Sequence, residues 1–353
     1  MYIKLPKVPL LPVAFTSISL FFACSGETDA DKTIPDSSPD SSQEWPQDNN
    51  SSSSTEKAIS SSSVTVSSSS VRVSSSSAKV SSSSIAEIVP LGCSRTGLTA
   101  AVDAYLAALK AGDYTLMPLS ATAKYSEYDN ASKQSYSTSG MTLNPSVSKF
   151  GEGLWKKPRK VDFHRNLIDV TACASFTEVI INKDSKDSND PPYVIGVRLD
   201  ISGNQISEVR VLATSTGDWA FTATGYYNYS TKEDWGELPS DKHLTPERLR
   251  SDAEAYFKYF RDKTVNVPWG IPCARLEGGA YTGDHPTATC NVGVPDLNMD
   301  IPTIWWLADV DYGMVVLFVY FGGADSHLFR ILPTGYRYIH TLTAMKQSDY
   351  AAP

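Results

Sequence analysis

One stretch of this chain is written twice. DAYLAALKAGDYTLMPLSATAKYSEYDN, from Asp103, aligns with EAYFKYFRDKTVNVPWGIPCARLEGG, from Glu254, with one residue gapped in the turn. Tyr105 then falls on Tyr256, Pro118 on Pro268 and Glu127 on Glu277. Each copy opens with helical spacing, Val102, Tyr105, Leu106 and Leu109 in the first and Ala253, Tyr256, Phe257 and Phe260 in the second. Thr99, ahead of AAVDAYL, and Thr245, followed by Pro246 and Glu247, are the helix starts that capping chemistry selects. After each helix come a proline and alternating strand segments: FTEVIIN, YVIGVRLDI and ISEVRVLAT in the first half, GMVVLFVYF, HLFRIL and YRYIHTLTA in the second. The expected fold class is α+β, with two tandem domains over 90–238 and 239–347. Each is a long helix packed in a curved antiparallel sheet.

What precedes the repeat has other work to do. Lys4 and Lys7 lead into the mostly apolar VPLLPVAFTSISLFFA, which stops at Cys24, so residues 1–23 read as an export signal rather than a membrane span. LFFACSG resembles a lipobox, with Cys24 cleaved, acylated and left as the first residue of the mature chain; cleavage as an ordinary secretory signal is the alternative. Two or more acyl chains give lasting attachment to a bilayer, and Ser25 in place of aspartate resembles outer-membrane sorting. Residues 24–89 repeat four serines with short Val, Lys or Arg interruptions, a composition that cannot offset its own ordering entropy. They are expected to form a flexible tether that holds the globular part off a cell surface. This linker is similar to those of secreted carbohydrate-degrading systems.

The net charge of -8 and the absence of a basic run exclude nucleic acid and any electrostatic hold on an anionic membrane, leaving the lipid as the expected membrane contact. Without Cys24, four cysteines remain, an even number in an exported chain, which reads as disulfides. Among the three pairings, Cys93–Cys173 with Cys273–Cys290 keeps each bond within one half. With no CxxC or close Cys/His pair, no metal site is expected. GxSxG, Walker, Rossmann and HExxH motifs are missing too, so any chemistry is expected to be acid–base work without a cofactor.

A helix lying in a cupped sheet is the nuclear transport factor 2-like, or SnoaL-like, cone fold (cystatin-like in class), and AVDAYLAALKAGDY is similar to the opening helix of its members. Over 92–345 the chain also resembles a group of secreted, mainly fungal proteins built from two such domains. The segments that carry this resemblance are HRNLIDVTACASFTEVI, YVIGVRLD, TGDWAFTATG, KEDWGELP, VPWGIPCARLEGGAYTG, CNVGVP, DSHLFR and YIHTLT. The resemblance implies the fold and brings no activity with it. The wider superfamily holds isomerases, dehydratases, epoxide hydrolases and plain binding modules.

Chemistry-bearing residues follow from strand alternation. Arg275 and Glu277 share a face and are expected at a pocket mouth, with Tyr125 and Glu127 as their first-half counterparts. A carboxylate there can serve as acid or base, or be a structural partner of Arg275. Tyr336, Tyr338 and His340 alternate onto one face, and His327 and Arg330 fall on opposite sides of the neighbouring segment. Convergence of His340, and of His327 or Arg330, on Glu277 would assemble acid, base and cation. Thus Glu277, His340 and Arg275 are the candidate catalytic residues. Glu127, His164, Tyr125, His327, Arg330, Tyr281 and Trp305 are the candidate binding residues. His164 stands near Arg165 and Asp169, at a spacing that suits neither one strand face nor a helix turn. Trp305 and Trp306 cannot both point inward on one strand. Aromatic faces of this kind stack on sugar rings.

Three readings follow: a surface-anchored, cofactor-free lyase, isomerase or hydrolase acting on a carbohydrate or plant-derived compound; a non-catalytic ligand- or carbohydrate-binding lipoprotein of the same fold; and an assembly protein. The expected partner is a small molecule or an oligosaccharide, and a homodimer is compatible with each reading.

Overall fold

The computed structural model describes residues 91–137, 140–283 and 285–350; the expected signal segment, Cys24 and the serine-rich linker lie outside the described residues. The first half runs α1 (Arg95–Ala111), β1 (Leu119–Tyr128), a hairpin of β2 (Lys133–Ser137) and β3 (Gly140–Asn144), then β4 (Val161–Asp169), β5 (Ala174–Ile181), β6 (Tyr193–Ser202) and β7 (Gln205–Ser215). The second half runs α2 (Ala223–Ser230), α3 (Pro246–Lys258), β8 (Ala274–Glu277), β9 (Ala280–Thr282), β10 (Thr303–Asp309), β11 (Met314–Tyr320), β12 (Ala324–Leu332), β13 (Gly335–Ala344) and the single turn α4 (Gln347–Tyr350).

The class is α+β, and the sequence repeat returns as a repeat of topology. One sheet has the order β1-β7-β6-β5-β4, the other β8-β13-β12-β11-β10 with β9 added beside β8. In each, the first strand after the helix runs parallel to the last strand of its half, and the remaining pairs are antiparallel. The paired glutamates hold equivalent places, Glu127 opposite Val211 and Glu277 opposite Thr341.

Helix starts follow capping chemistry, with one correction. Thr245 caps α3 by accepting from the Arg248 N–H, and Pro246 fills the first turn, as expected. The first helix begins a turn earlier than expected: Ser94, not Thr99, is the cap, accepting from Gly97 N at 3.1 Å. Its neighbour Cys93 is fixed by a disulfide, so the chain enters the helix at that point. Gly112 ends α1 in the left-handed conformation, φ 67°, and its N–H returns to the last turn.

Helices α1 and α3 lie outside and the sheets inside, while α2 packs with the inner faces of the sheets. Leu98, Val102, Tyr105 and Leu109 of α1 pack on Val179, Ile195, Val197 and Val211. Leu249, Ala253, Tyr256 and Phe257 of α3 pack on Leu317, Phe329 and Ile339. The opposite faces of the two sheets meet one another: Ile180, Val194 and Leu212 pack with Leu276, Phe318 and Leu342, and Leu167 and Phe176 with Leu307, Val316 and Leu328. This double coverage explains why β5 is buried at every position, its polar Ser175, Thr177 and Glu178 included. The edge strands are tied reciprocally. Asp309 accepts from Ile168 N at 3.0 Å, and Asp169 accepts from Ala308 N at 2.9 Å.

A bulge changes one expectation. Between β12 and β13, Arg330 faces Tyr338 but Ile331 faces Tyr336, leaving Arg337 as the extra residue. The period of two resets across it. Tyr336 therefore joins the α3 core, whereas Tyr338 and His340 face the first sheet.

Both disulfides are those read from the sequence, Cys93–Cys173 and Cys273–Cys290, and they place the folded chain outside a reducing cytosol. Among the described residues, no helix is long and apolar enough to cross a membrane. The loops they close span 80 and 17 residues. On the chain-entropy account, Cys93→Ser with Cys173→Ser costs about 4.5 kcal/mol and Cys273→Ser with Cys290→Ser about 3 kcal/mol. Denaturant unfolding of the two double variants checks that order.

Candidate functional site

Arg275 and Glu277 share a strand face, as alternation requires, and that face looks toward α3. Arg275 Nε lies 3.1 Å from Glu277 Oε1, and an Nη donates to the Val292 carbonyl at 2.7 Å. His340 pairs with Leu276, the residue between them, so its ring leaves by the other side of the sheet. The three candidate catalytic residues are therefore not brought together. Tertiary pairing of β8 beside β13 fixes this: residues opposite one another share a face, and His340 is opposite the wrong one.

His340 instead belongs to a buried cluster between the sheets. Its Nδ1 is 3.0 Å from Glu178 and its Nε2 2.5 Å from Glu233. The other oxygen of Glu178 accepts from Tyr226 at 2.8 Å, and Arg165 lies 3.4 Å from Glu178 while donating to the Ser230 carbonyl. The Arg165 guanidinium sits 4.4 Å over the Trp235 ring, whose N–H donates to Glu233. Burial opposes a charge on His340, but Glu233 and Glu178 outweigh it and raise the imidazolium above its ordinary range. Burial likewise opposes the Glu178 charge, and His340 and Arg165 overcome it, holding that carboxylate low. One sign of this cluster is legible in the sequence: Glu178 is an acid inside the apolar FTEVIIN. Glu233 and Trp235, on a loop, offered none.

Across the face of the second sheet turned toward α3, Glu277, Thr341 and His327 form one row over three adjacent strands, about 10 Å from end to end. His327 Nδ1 is 2.7 Å from Asp325, whose other oxygen accepts from the Thr343 hydroxyl at 2.6 Å. Tyr256, Phe257 and Phe329 surround the imidazole, with ring centroids at 5.5, 4.8 and 6.0 Å. The Thr341 hydroxyl is buried with no hydrogen-bond partner. Beyond Phe257 opens a groove of about 530 Å³ between α3 and residues 299–303, lined also by Arg250, Arg261, Asp300 and Ile301. Arg330 is not part of this face. It points between the sheets and donates to the Tyr312 and Gly236 carbonyls.

The corresponding face of the first half is buried as well. Glu127, 5% exposed, accepts from Tyr125 Oη at 2.6 Å and from Leu154 N at 3.1 Å. Tyr105, Tyr125 and Trp155 pack there edge to face. Gly153, φ 58°, lets the backbone approach the carboxylate, where any β-carbon would strike it. Burial raises the Glu127 pKa, and the bonds from Tyr125 and Leu154 only partly oppose it.

The remaining candidates scatter. His164 is exposed on the α1 side of β4, whereas Arg165 is buried on the other face. Trp305 stacks on Phe318 at 5.0 Å between the sheets, with Arg198 over it; Trp306 turns to the α3 side beneath Arg250. Tyr281 stacks on Tyr229 at 4.2 Å. Among the described residues, no group of three or more His, Cys, Asp or Glu is placed to hold a metal ion.

A family described as a domain of unknown function (DUF8021) matches residues 242–343, which take in α3 and the second sheet almost to its end. Neither curated proteins nor solved structures give a match to the chain.

The raised His340 pKa fixes a sign. Stability from this imidazolium is fully present below the unfolded value near 6.5 and is lost as pH rises through the elevated folded value. His340→Gln leaves two buried carboxylates short of a cation and costs roughly 3–5 kcal/mol at pH 6. The gap to the unsubstituted protein narrows by about 1.4 kcal/mol per pH unit between those two values, a trend that urea unfolding from pH 6 to 9 measures.

Proposed function

We propose that this is a non-catalytic binding protein, exported and held at the cell surface through Cys24, that takes a small polar molecule or an oligosaccharide beside its second helix. The observation that carries the reading is the open groove between α3 and residues 299–303. Binding sites are concave and mainly apolar, with a few directed polar groups. The groove supplies Phe257, Val265, Met299 and Ile301 together with Arg250, Lys258, Arg261, Glu254 and Asp300. With three cations and three carboxylates, Asp262 among them, the lining suits a neutral or zwitterionic ligand better than a polyanion.

Two further points support binding over catalysis. Glu277 and His340 face away from one another, and His340 is spent on two carboxylates. Glu127, an acid whose pKa burial raises, lies under packed aromatic rings. The acid–base enzyme reading keeps one supporting observation, the Asp325–His327 pair. The matched strand orders of the two sheets support tandem nuclear transport factor 2-like cones as the architecture, and the serine-rich tether supports display away from a membrane.

The test is retention of the exported chain on plant polysaccharides and calorimetric titration with their oligosaccharides, with chromatography for new products. Thr303→Trp, which fills the groove, is expected to weaken binding at least tenfold, and Glu127→Gln to leave it unchanged. Absence of any retention, or undiminished binding by Thr303→Trp, would sink the reading; new products would replace it with the enzymatic one.

A further inference from the structure

The ribbon of β2 and β3 stands apart from both large sheets as a two-stranded sheet of its own. Such a ribbon is marginal in water unless something covers it. One strand is held: Leu143, 9% exposed, packs with Phe318, Ala324 and Leu342, and Met141 lies against the same cluster. The other strand is not held. All five residues of β2 are exposed, and Tyr136, at 72%, is the most exposed large apolar side chain among the described residues.

Register fixes what β2 offers on its outer side. Pairing runs without a bulge from Lys133 opposite Asn144 to Ser137 opposite Gly140, the pair that closes the turn. Hydrogen-bonded and open pairs alternate along an antiparallel ladder, and the closing pair is a bonded one. Lys133, Ser135 and Ser137 therefore bond inward to β3, while Gln134 and Tyr136 turn their N–H and C=O groups outward. No backbone group of the described residues reaches these outward groups. The edge also lacks most guards against strand addition: it has no proline, no bulge and one charge, Lys133, at its start. Its outward groups are self-complementary. Two copies of β2 laid antiparallel about Ser135 set Gln134 of each opposite Tyr136 of the other, as two hydrogen-bonded pairs. Lys133 then faces Ser137, so no like charges meet.

We infer that the outer edge of β2 is an interface with a second copy of this chain, joining two ribbons into one four-stranded antiparallel sheet about a two-fold axis at Ser135. The inference does not depend on the groove beside α3. Elsewhere the strands are already spent: each large sheet has a helix on one face and the other sheet on its opposite face, and the edges β4 and β10 are tied to one another. A two-fold contact of this kind closes at two subunits, so the product is a dimer and not a fibre. The ribbon buries less than a standard interface does, which makes the dimer one of high concentration.

The test is cross-linking by register in the exported chain. At the axis the two Ser135 residues form an open pair, with Cα atoms about 4.5 Å apart and within disulfide reach. The two Lys133 residues stand about 14 Å apart, beyond it. Ser135→Cys is expected to oxidise to a covalent dimer at least tenfold faster than Lys133→Cys, with the linked residue identified by peptide mass. Sedimentation of the parent is expected to shift from monomer toward dimer as concentration rises. Gln134→Pro removes an outward N–H and leaves the β2–β3 bonds in place; it is expected to abolish that shift and the Ser135→Cys cross-link at an unchanged melting temperature. If it unfolds the ribbon instead, the two cysteine positions still decide. Equal rates at those positions, or a parent that stays monomeric at every concentration, overturn the inference. Association that survives Gln134→Pro in a folded chain lies on another surface and overturns it too. A monomeric parent whose retention on polysaccharide falls with Tyr136→Ala gives the ribbon a sugar in place of a second copy.

Discussion

Everything in this fold depends on two sheets accepting one another face to face. Each sheet has a helix on one side, and the other side is as apolar as a core, so neither half could leave it in water. The interface is made by Ile180, Val194 and Leu212 against Leu276, Phe318 and Leu342, and Gly196 gives Phe176 room to enter. At the edges, Asp169 and Asp309 each cap an amide of the opposite sheet, so two exposed strand ends become mutual partners. Arg95 pairs with Asp309 through both terminal nitrogens at 2.9 and 2.6 Å, which ties the start of α1 to the far half of the chain.

That interface also explains where the charges went. A carboxylate buried between two sheets is tolerable only when paired. Glu178 and Glu233 are matched by His340 and Arg165, two of each sign, with Tyr226 and Trp235 completing the hydrogen bonds. The cluster has the residue types of an active site and the saturation of a structural tie. Its components come from β4, β5, β13, α2 and the loop after it, so it ties the two halves together.

The two halves then diverge on the side facing the helices. The first closes its space with Tyr105, Tyr125 and Trp155 over a protected glutamate, while the second keeps polar side chains inward and a groove beside them.

By itself the sequence determined the local periods and chemistry: the repeat, the helices with their apolar stripes, the Thr245 cap, the six strand segments, and an even set of cysteines that pair within halves. Alternation also put Arg275 with Glu277 and Tyr125 with Glu127 correctly, because a face is set within a single strand. What it could not supply was anything that depends on a partner strand. Whether His340 shares a face with Glu277 is decided by the register of β13 on β8, and whether Tyr336 shares one with His340 by a bulge opposite β12. Only the tertiary structure decided that the sheets, not the helices, meet at the centre. Apolar runs announce burial without naming what covers them.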